Sequence, residues 1–206
     1  MLNTITYLPK LKEFEGVYPY MYLDTTGNVT VGVGNLLASA AAAQRLAFVV
    51  RPDPNASPPI LTRPATMDEV AADFDNVDSQ IPGRIASYYK QFTKLDLPNT
   101  VIDSLLNSRV QEFTTSLCAV FPAFNSYPAE ACAAIFDMAF NLGLGKLTSQ
   151  FPIFCKAVKE MDWTTAALQC RRIGINDARN DWTKLQFETA ATDNKLNPQT
   201  VKALNS

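Results

Sequence analysis

Two carboxylates and a hydroxyl gather in one short stretch: Glu15, Asp24 and Thr30, with Thr25-Thr26-Gly27-Asn28 between the acids and Gly32-Val33-Gly34 after the hydroxyl. Four of the eight glycines in the 206 residues fall between positions 16 and 34. In a glycine-poor chain, that concentration marks backbone that something must approach closely. Two carboxyl groups can share acid and base work if their surroundings hold one protonated and the other ionised. That pair is the minimum equipment for hydrolysing a glycosidic bond.

The sequence contains no histidine. This removes the usual general base and the commonest zinc ligand, so Ser/His/Asp and Cys/His hydrolases are excluded. Acid–base chemistry then falls to carboxylates, lysine, tyrosine, cysteine or water. Cys118, Cys132, Cys155 and Cys170 show no C-x-x-C spacing and read as buried thiols. Cys155 and Cys170 flank Asp162-Trp163 almost symmetrically, so a helical hairpin there brings them near each other, either packed or bridged.

The elements that must position the acids are short. Leu8, Leu11 and Phe14 recur at helical spacing, Pro9 suits a first turn and Gly16 can end the helix, which predicts a helix over 6–15 with Glu15 at its C-terminal end. The negative end of the helix dipole and apolar neighbours should raise the pKa of Glu15. Residues 18–24 and 29–34 read as strands around the Thr25–Asn28 turn, with Asp24 at the exposed hairpin end and ionised. Val29, Val31 and Val33 alternate onto one face, leaving Thr30, Gly32 and Gly34 on an almost bare face that forms a trough.

Further along, five prolines between 52 and 64 mark a loop or insertion. Thr66 and Glu69 form a capping-box signature that opens a helix, which Pro82-Gly83 should bend or end. The remainder reads as helices over 84–92, 98–108, 110–120, 128–142, 150–160, 163–173 and 180–190. The helix from Pro128 to Gly143 carries an apolar stripe of Ala131, Ile135, Met138 and Leu142, with Phe140 and Asn141 off the stripe and free to face a cleft.

A net charge of −2 and the lack of any like-charge block argue against a nucleic-acid binder and against a polybasic membrane anchor. Residues 1–139 hold 9 basic and 14 acidic groups, and 140–206 hold 9 basic and 6 acidic, a mild asymmetry. No stretch approaches the roughly 20 apolar residues that span a bilayer. Met1 to Thr6 lacks the basic and apolar regions of a secretory signal.

The segment EGVYPYMYLDTTGNVTVGVGNLL, with nine residues from Glu15 to Asp24 and six to Thr30, resembles the catalytic region of the phage-type lysozymes, the muramidases. The resemblance continues more faintly through 66–74, 137–143, Trp163 and 171–179. It implies an α+β fold: a small N-terminal lobe with a β-hairpin (1–65, including the insertion 52–64), a connecting helical region (66–92) and a larger all-helical C-terminal lobe (93–206), with a cleft between the lobes. It implies Glu15 as general acid, Asp24 as base and Thr30 as a holder of the attacking water, in an inverting hydrolysis of the β-1,4 bond between N-acetylmuramic acid and N-acetylglucosamine. Gly34 and Leu36 match the cleft floor, and Phe140 and Asn141 the helix facing it; these would bind the glycan or its peptide stem.

By the same resemblance Arg179 reaches back to the acid, which would oppose the upward shift at Glu15. Asn35 stands where the family often has histidine, so an ion pair is lost and the pH dependence of stability should flatten. No metal or cofactor is implied. The expected partner is bacterial peptidoglycan, and the protein is expected to act as a monomer in the periplasm or on the cell wall, reaching it through a phage-made membrane hole or by a secretion machine. In the second case an immunity protein would plug the cleft. The alternative is a catalytically silent, peptidoglycan-binding or structural module on the same fold.

Overall fold

A computed structural model describes residues 4–196, with side chains described for 7–193. Met1–Asn3, part of the segment read as lacking a secretory signal, and residues 197–206, the end of the expected helical lobe, lie outside the described residues. The fold is mixed α+β, with small antiparallel sheets among more numerous helices. No described helix is long and apolar enough to cross a membrane. The chain divides into two compact units, one of residues 9–109 and one of residues 1–8 with 110–206.

The first unit begins within helix α1, Thr4–Glu15, which starts earlier than the spacing predicts and carries Pro9 inside it. The helix closes as expected, with the Gly16 amide donating to the Lys12 carbonyl at 2.9 Å. Strands β1 (Tyr18–Leu23) and β2 (Val29–Gly32) follow, and an unpredicted β3 (Asn35–Leu36) completes a sheet of order β1-β2-β3. The register pairs Tyr22 with Thr30, Leu23 with Val29 and Thr30 with Leu36. Helix α2 (Ala40–Ala43) leads into β4 (Val49–Val50).

The proline-rich segment contains no helix. Its arms run back antiparallel, with a bridge between Asp53 and Ile60 and another from Val49 to Pro64. Helix α3, Met67–Asp78, opens on the predicted capping box: Thr66 accepts from the Glu69 amide, and Glu69 accepts from the Thr66 amide at 2.8 Å. It ends at Ser79, ahead of Pro82. Predicted helix 84–92 is instead a short α4 (Ala86–Tyr89) followed by one 3-10 turn. Strand β5 (Leu95–Asp96) pairs with β4 and is pinned by the buried Asp73 carboxylate, which accepts from the Lys94 and Leu95 amides at 3.0 Å.

The predicted helices 98–108 and 110–120 are one continuous α5, Asn99–Val120. Ser108-Arg109 contains neither proline nor glycine, so nothing in the backbone forces a break there. The boundary between the two units falls inside this helix, after Arg109.

The second unit is helical. After the rest of α5 and a 3-10 turn at Phe124–Ser126 come α6 (Ala129–Leu142), α7 (Leu144–Gln150), α8 (Pro152–Lys159), α9 (Trp163–Gln169) and α10 (Asp177–Leu196). Of the α6 stripe, Ala131, Ile135 and Met138 are wholly buried and Leu142 at the helix end is half-buried, as are Phe140 and Asn141 off the stripe. α10 packs on α6 and α9, and α8 on α9. Trp163 and Phe187 stack at 6.3 Å between ring centroids within this core. All four cysteines are free, Cys155 and Cys170 included.

Candidate active site

Glu15 is the last residue of α1 and is half-buried, so its carboxyl sits at the negative end of the helix dipole, as the sequence requires. Nine residues on, the β1–β2 turn is organised by Asp24 itself. Its Oδ1 accepts from the Thr26 amide at 2.8 Å, the Thr26 hydroxyl at 2.7 Å and the Asn28 amide at 2.9 Å. Desolvation pushes the carboxyl up, but the hydrogen bonds from Asn28 and Thr26 together outweigh it and hold Asp24 below the ordinary carboxylate range. Asp24 is therefore ionised at neutral pH.

Thr30 lies in the middle of β2 and is only 3% exposed. Its hydroxyl donates to the Asn28 carbonyl at 3.1 Å, on the same turn that Asp24 organises. The face expected to be bare is covered in part. A Cβ built on Gly32 would stand 3.3 Å from Ile102 Cγ2, so α5 fills the space that the missing side chain leaves. The next glycine is different. Gly34 is exposed at the β2–β3 turn, beside half-buried Asn35 and Leu36, which is 57% exposed.

Tyrosines that sequence reasoning passed over join this group. Tyr18 and Tyr22 project from β1 with ring centroids 5.1 Å apart. The Tyr22 hydroxyl is pushed up to about 12, first by burial, then by Tyr18; the Gly34 amide bonded to it lowers it, and the negative charges of Asp24 and Glu15 raise it further. Tyr22 thus feels both carboxylates and stays a protonated phenol. The recurrence of Tyr18, Tyr20 and Tyr22 with period two was the available signal, although the pairing of β1 with β2 shifts register between Tyr18 and Tyr22.

Arg109 had no such signal. It is exposed on α5, and its Nη1 donates to the Gly34 carbonyl at 2.8 Å and the Val33 carbonyl at 3.2 Å.

Glu15, Asp24, Thr30, Gly34, Asn35 and Leu36 all belong to the unit of residues 9–109, whereas Phe140, Asn141 and Arg179 belong to the other. Phe140 ends an aromatic cluster, 5.6 Å from Phe136 and 5.7 Å from Phe113 between centroids. Arg179 is 5% exposed and donates from Nε to Asp137 Oδ1 at 2.9 Å. Asp137 is fully buried and takes Arg172 on its other oxygen at 2.7 Å, with the Thr183 hydroxyl at 3.0 Å and the Tyr7 hydroxyl at 3.3 Å. This network locks the Arg179 side chain, and the sequence reading missed it because its members are scattered along the chain. Among the described residues no group of three or more acidic or sulfur side chains could hold a metal ion.

No protein-family model matches the sequence, and no curated protein matches it.

Proposed function

We propose that the chain is a peptidoglycan hydrolase of the phage-type lysozyme kind, with Glu15 and Asp24 as its acid and base. The observation that carries the reading is the asymmetry of the two acids: Glu15 half-buried at a helix C-terminus, and Asp24 held ionised by three hydrogen bonds to one oxygen. That is the division of environments an acid–base pair needs. In this mechanism Glu15 gives its proton to the glycosidic oxygen as the bond to the sugar's anomeric carbon breaks. Asp24 takes a proton from a water that attacks the same carbon from the opposite face, with inversion.

Thr30 fixes the turn that carries Asp24, and Gly34, Asn35 and Leu36 offer a partly open surface for the sugar. Phe140 and Asn141 are the further residues that the family resemblance assigns to glycan binding, and Arg179 is the cation that it puts on the acid. The substrate is the β-1,4 bond between N-acetylmuramic acid and N-acetylglucosamine, the site of action the bacterial cell wall, and an inhibitor or immunity protein a partner that would plug the cleft.

Turbidity of permeabilised bacterial cells tests the reading: the protein clears them, and Glu15→Gln does not. Equal clearing by both rejects it. The burial of Thr30 and the covering of Gly32 by Ile102 favour a second reading, a silent wall-binding module. Retention on insoluble peptidoglycan without release of reducing ends would establish that one instead.

A further inference from the structure

The proposed hydrolysis makes no use of the proline-rich insertion, yet its return arm extends the β4–β5 sheet by a third strand. That arm is tied to the outgoing one at two points. Ile60 exchanges both backbone hydrogen bonds with Asp53, at 2.9 and 3.0 Å, and the Arg63 carbonyl accepts from the Val50 amide at 2.8 Å. The other side of the outgoing arm is taken by β5, with the Arg51 amide donating to the Lys94 carbonyl at 2.8 Å. The return arm is therefore an edge. Between its two ties, Leu61 and Thr62 make no hydrogen bond among the described residues, so their N–H and C=O groups are open.

A groove of about 950 Å³ runs beside this edge, with Pro58 to Thr62 on one side and α3 on the other. α3 lines it with Glu69, Ala72, Asp73 and Asn76, the i, i+3, i+4 and i+7 positions of one helix face. The small Ala72 leaves room there. Leu61 is 76% exposed and Ile60 41%, so the apolar wall is open to solvent. Most of the charge in the groove is already matched. Arg63 holds Glu69 through two hydrogen bonds, and the Asp73 carboxylate is filled by the Lys94 and Leu95 amides. Two polar groups are left. Among the described residues the exposed Asn76 side-chain amide makes no hydrogen bond, and the exposed Lys94 ammonium forms no ion pair.

Open main-chain groups on one wall, a side-chain amide on the other and apolar side chains beside them are what recognises a peptide in extended form. A wholly apolar ligand would cover those polar groups without pairing them, at a cost in free energy. Pro59 and Pro64 have no N–H and bracket the open stretch, which keeps the pairing window short. Lys94 supplies charge complementarity to one acidic group.

We propose that the groove between the insertion and α3 is a docking site for an extended segment of a partner protein. The segment pairs its main chain with Leu61 and Thr62, lays apolar side chains against Ile60, Leu61 and Ala72, and sets an acidic group toward Lys94. This holds whether or not the chain hydrolyses glycan.

Main-chain pairing tolerates many sequences, so a generic probe tests it: a fluorescein-labelled hexapeptide of alternating valine and threonine ending in glutamate, titrated with the whole protein and followed by anisotropy. Binding should saturate below millimolar protein. N-methylation of the central peptide amides, which removes donors and keeps the side chains, should weaken it roughly tenfold, the scale of one or two main-chain hydrogen bonds. Ala72→Leu fills the groove at an exposed helix position and should weaken binding to a similar extent, with an unchanged urea midpoint; Asn76→Ala, on the same face, is the second variant. Lys94→Gln should weaken the glutamate peptide and leave its glutamine counterpart unaffected. Absence of saturable binding overturns the proposal, as does equal affinity for the N-methylated peptide, which would make the groove an apolar pocket for small molecules. Binding untouched by both Ala72→Leu and Asn76→Ala places the peptide elsewhere and overturns it too, and an equal effect of Lys94→Gln on both peptides overturns the role of Lys94.

Discussion

Ile102 of α5 stands where a side chain on Gly32 of β2 would be, 3.3 Å from the ideal Cβ position, and Gly32 has a φ of +69°. Alanine at this position meets both a steric and a conformational penalty. Gly32→Ala should cost about 1–3 kcal/mol of stability, read from urea denaturation. Trimming the neighbour in the double variant Gly32→Ala, Ile102→Ala should show coupling, since the clash disappears and the backbone strain stays. Additive losses would mean that the two residues do not press on each other.

Asp137 is the sole carboxylate paired in the described structure with both Arg172 and Arg179, at 2.7 Å to each guanidinium, and it is wholly buried. Removing one partner of a buried ion pair strands the other charges. Asp137→Ala should therefore destabilise by about 3–5 kcal/mol. Asp137→Asn, which keeps acceptor geometry without the charge, should cost less. Thermal denaturation of both variants measures this, and an unchanged midpoint for Asp137→Ala would contradict the network.

Asp24 is depressed in the folded protein, so its ionised form adds stability above the ordinary carboxylate range. That contribution fades as the pH falls through the lowered folded value. If Asp24 is the base of the proposed hydrolysis, the acidic limb of the activity profile should accordingly lie below the usual carboxylate range. Thr26→Val removes the hydroxyl donor at 2.7 Å and keeps the amide, so the limb should move to higher pH. Carboxyl chemical shifts of Asp24 followed by NMR give the same titration without turnover. A limb that does not move would exclude Thr26 as a determinant.

The thiols should report the burial pattern. Burial pushes Cys132 up to about 12 and Cys170 to about 11, and raises Cys155, whereas Cys118 is only partly covered. Thiolate is the reactive form. A thiol-specific reagent at pH 8 should therefore titrate Cys118 alone in the native protein and four groups after denaturation. Fewer than four in denaturant would indicate a disulfide.

Local physics is legible in this sequence, and it set the end of α1 at Glu15, the turn that Asp24 organises, the Thr66–Glu69 cap and the buried stripe of α6. In each case the deciding groups lie within a few residues of one another or repeat with the period of one element, so the chain carries its own signal. Contacts across the chain carry none. Ile102 over Gly32, Arg109 on the Gly34 carbonyl 75 positions away, and Asp137 between Arg172 and Arg179, 35 and 42 positions away, exist only because folding returns distant segments to one place. The sequence by itself determined which residue types could do acid–base chemistry and which short elements present them. Only the tertiary structure decided which face of β2 is covered, which cation lies on the turn, and what holds Arg179, because close packing of non-adjacent side chains has no period for a linear sequence to display.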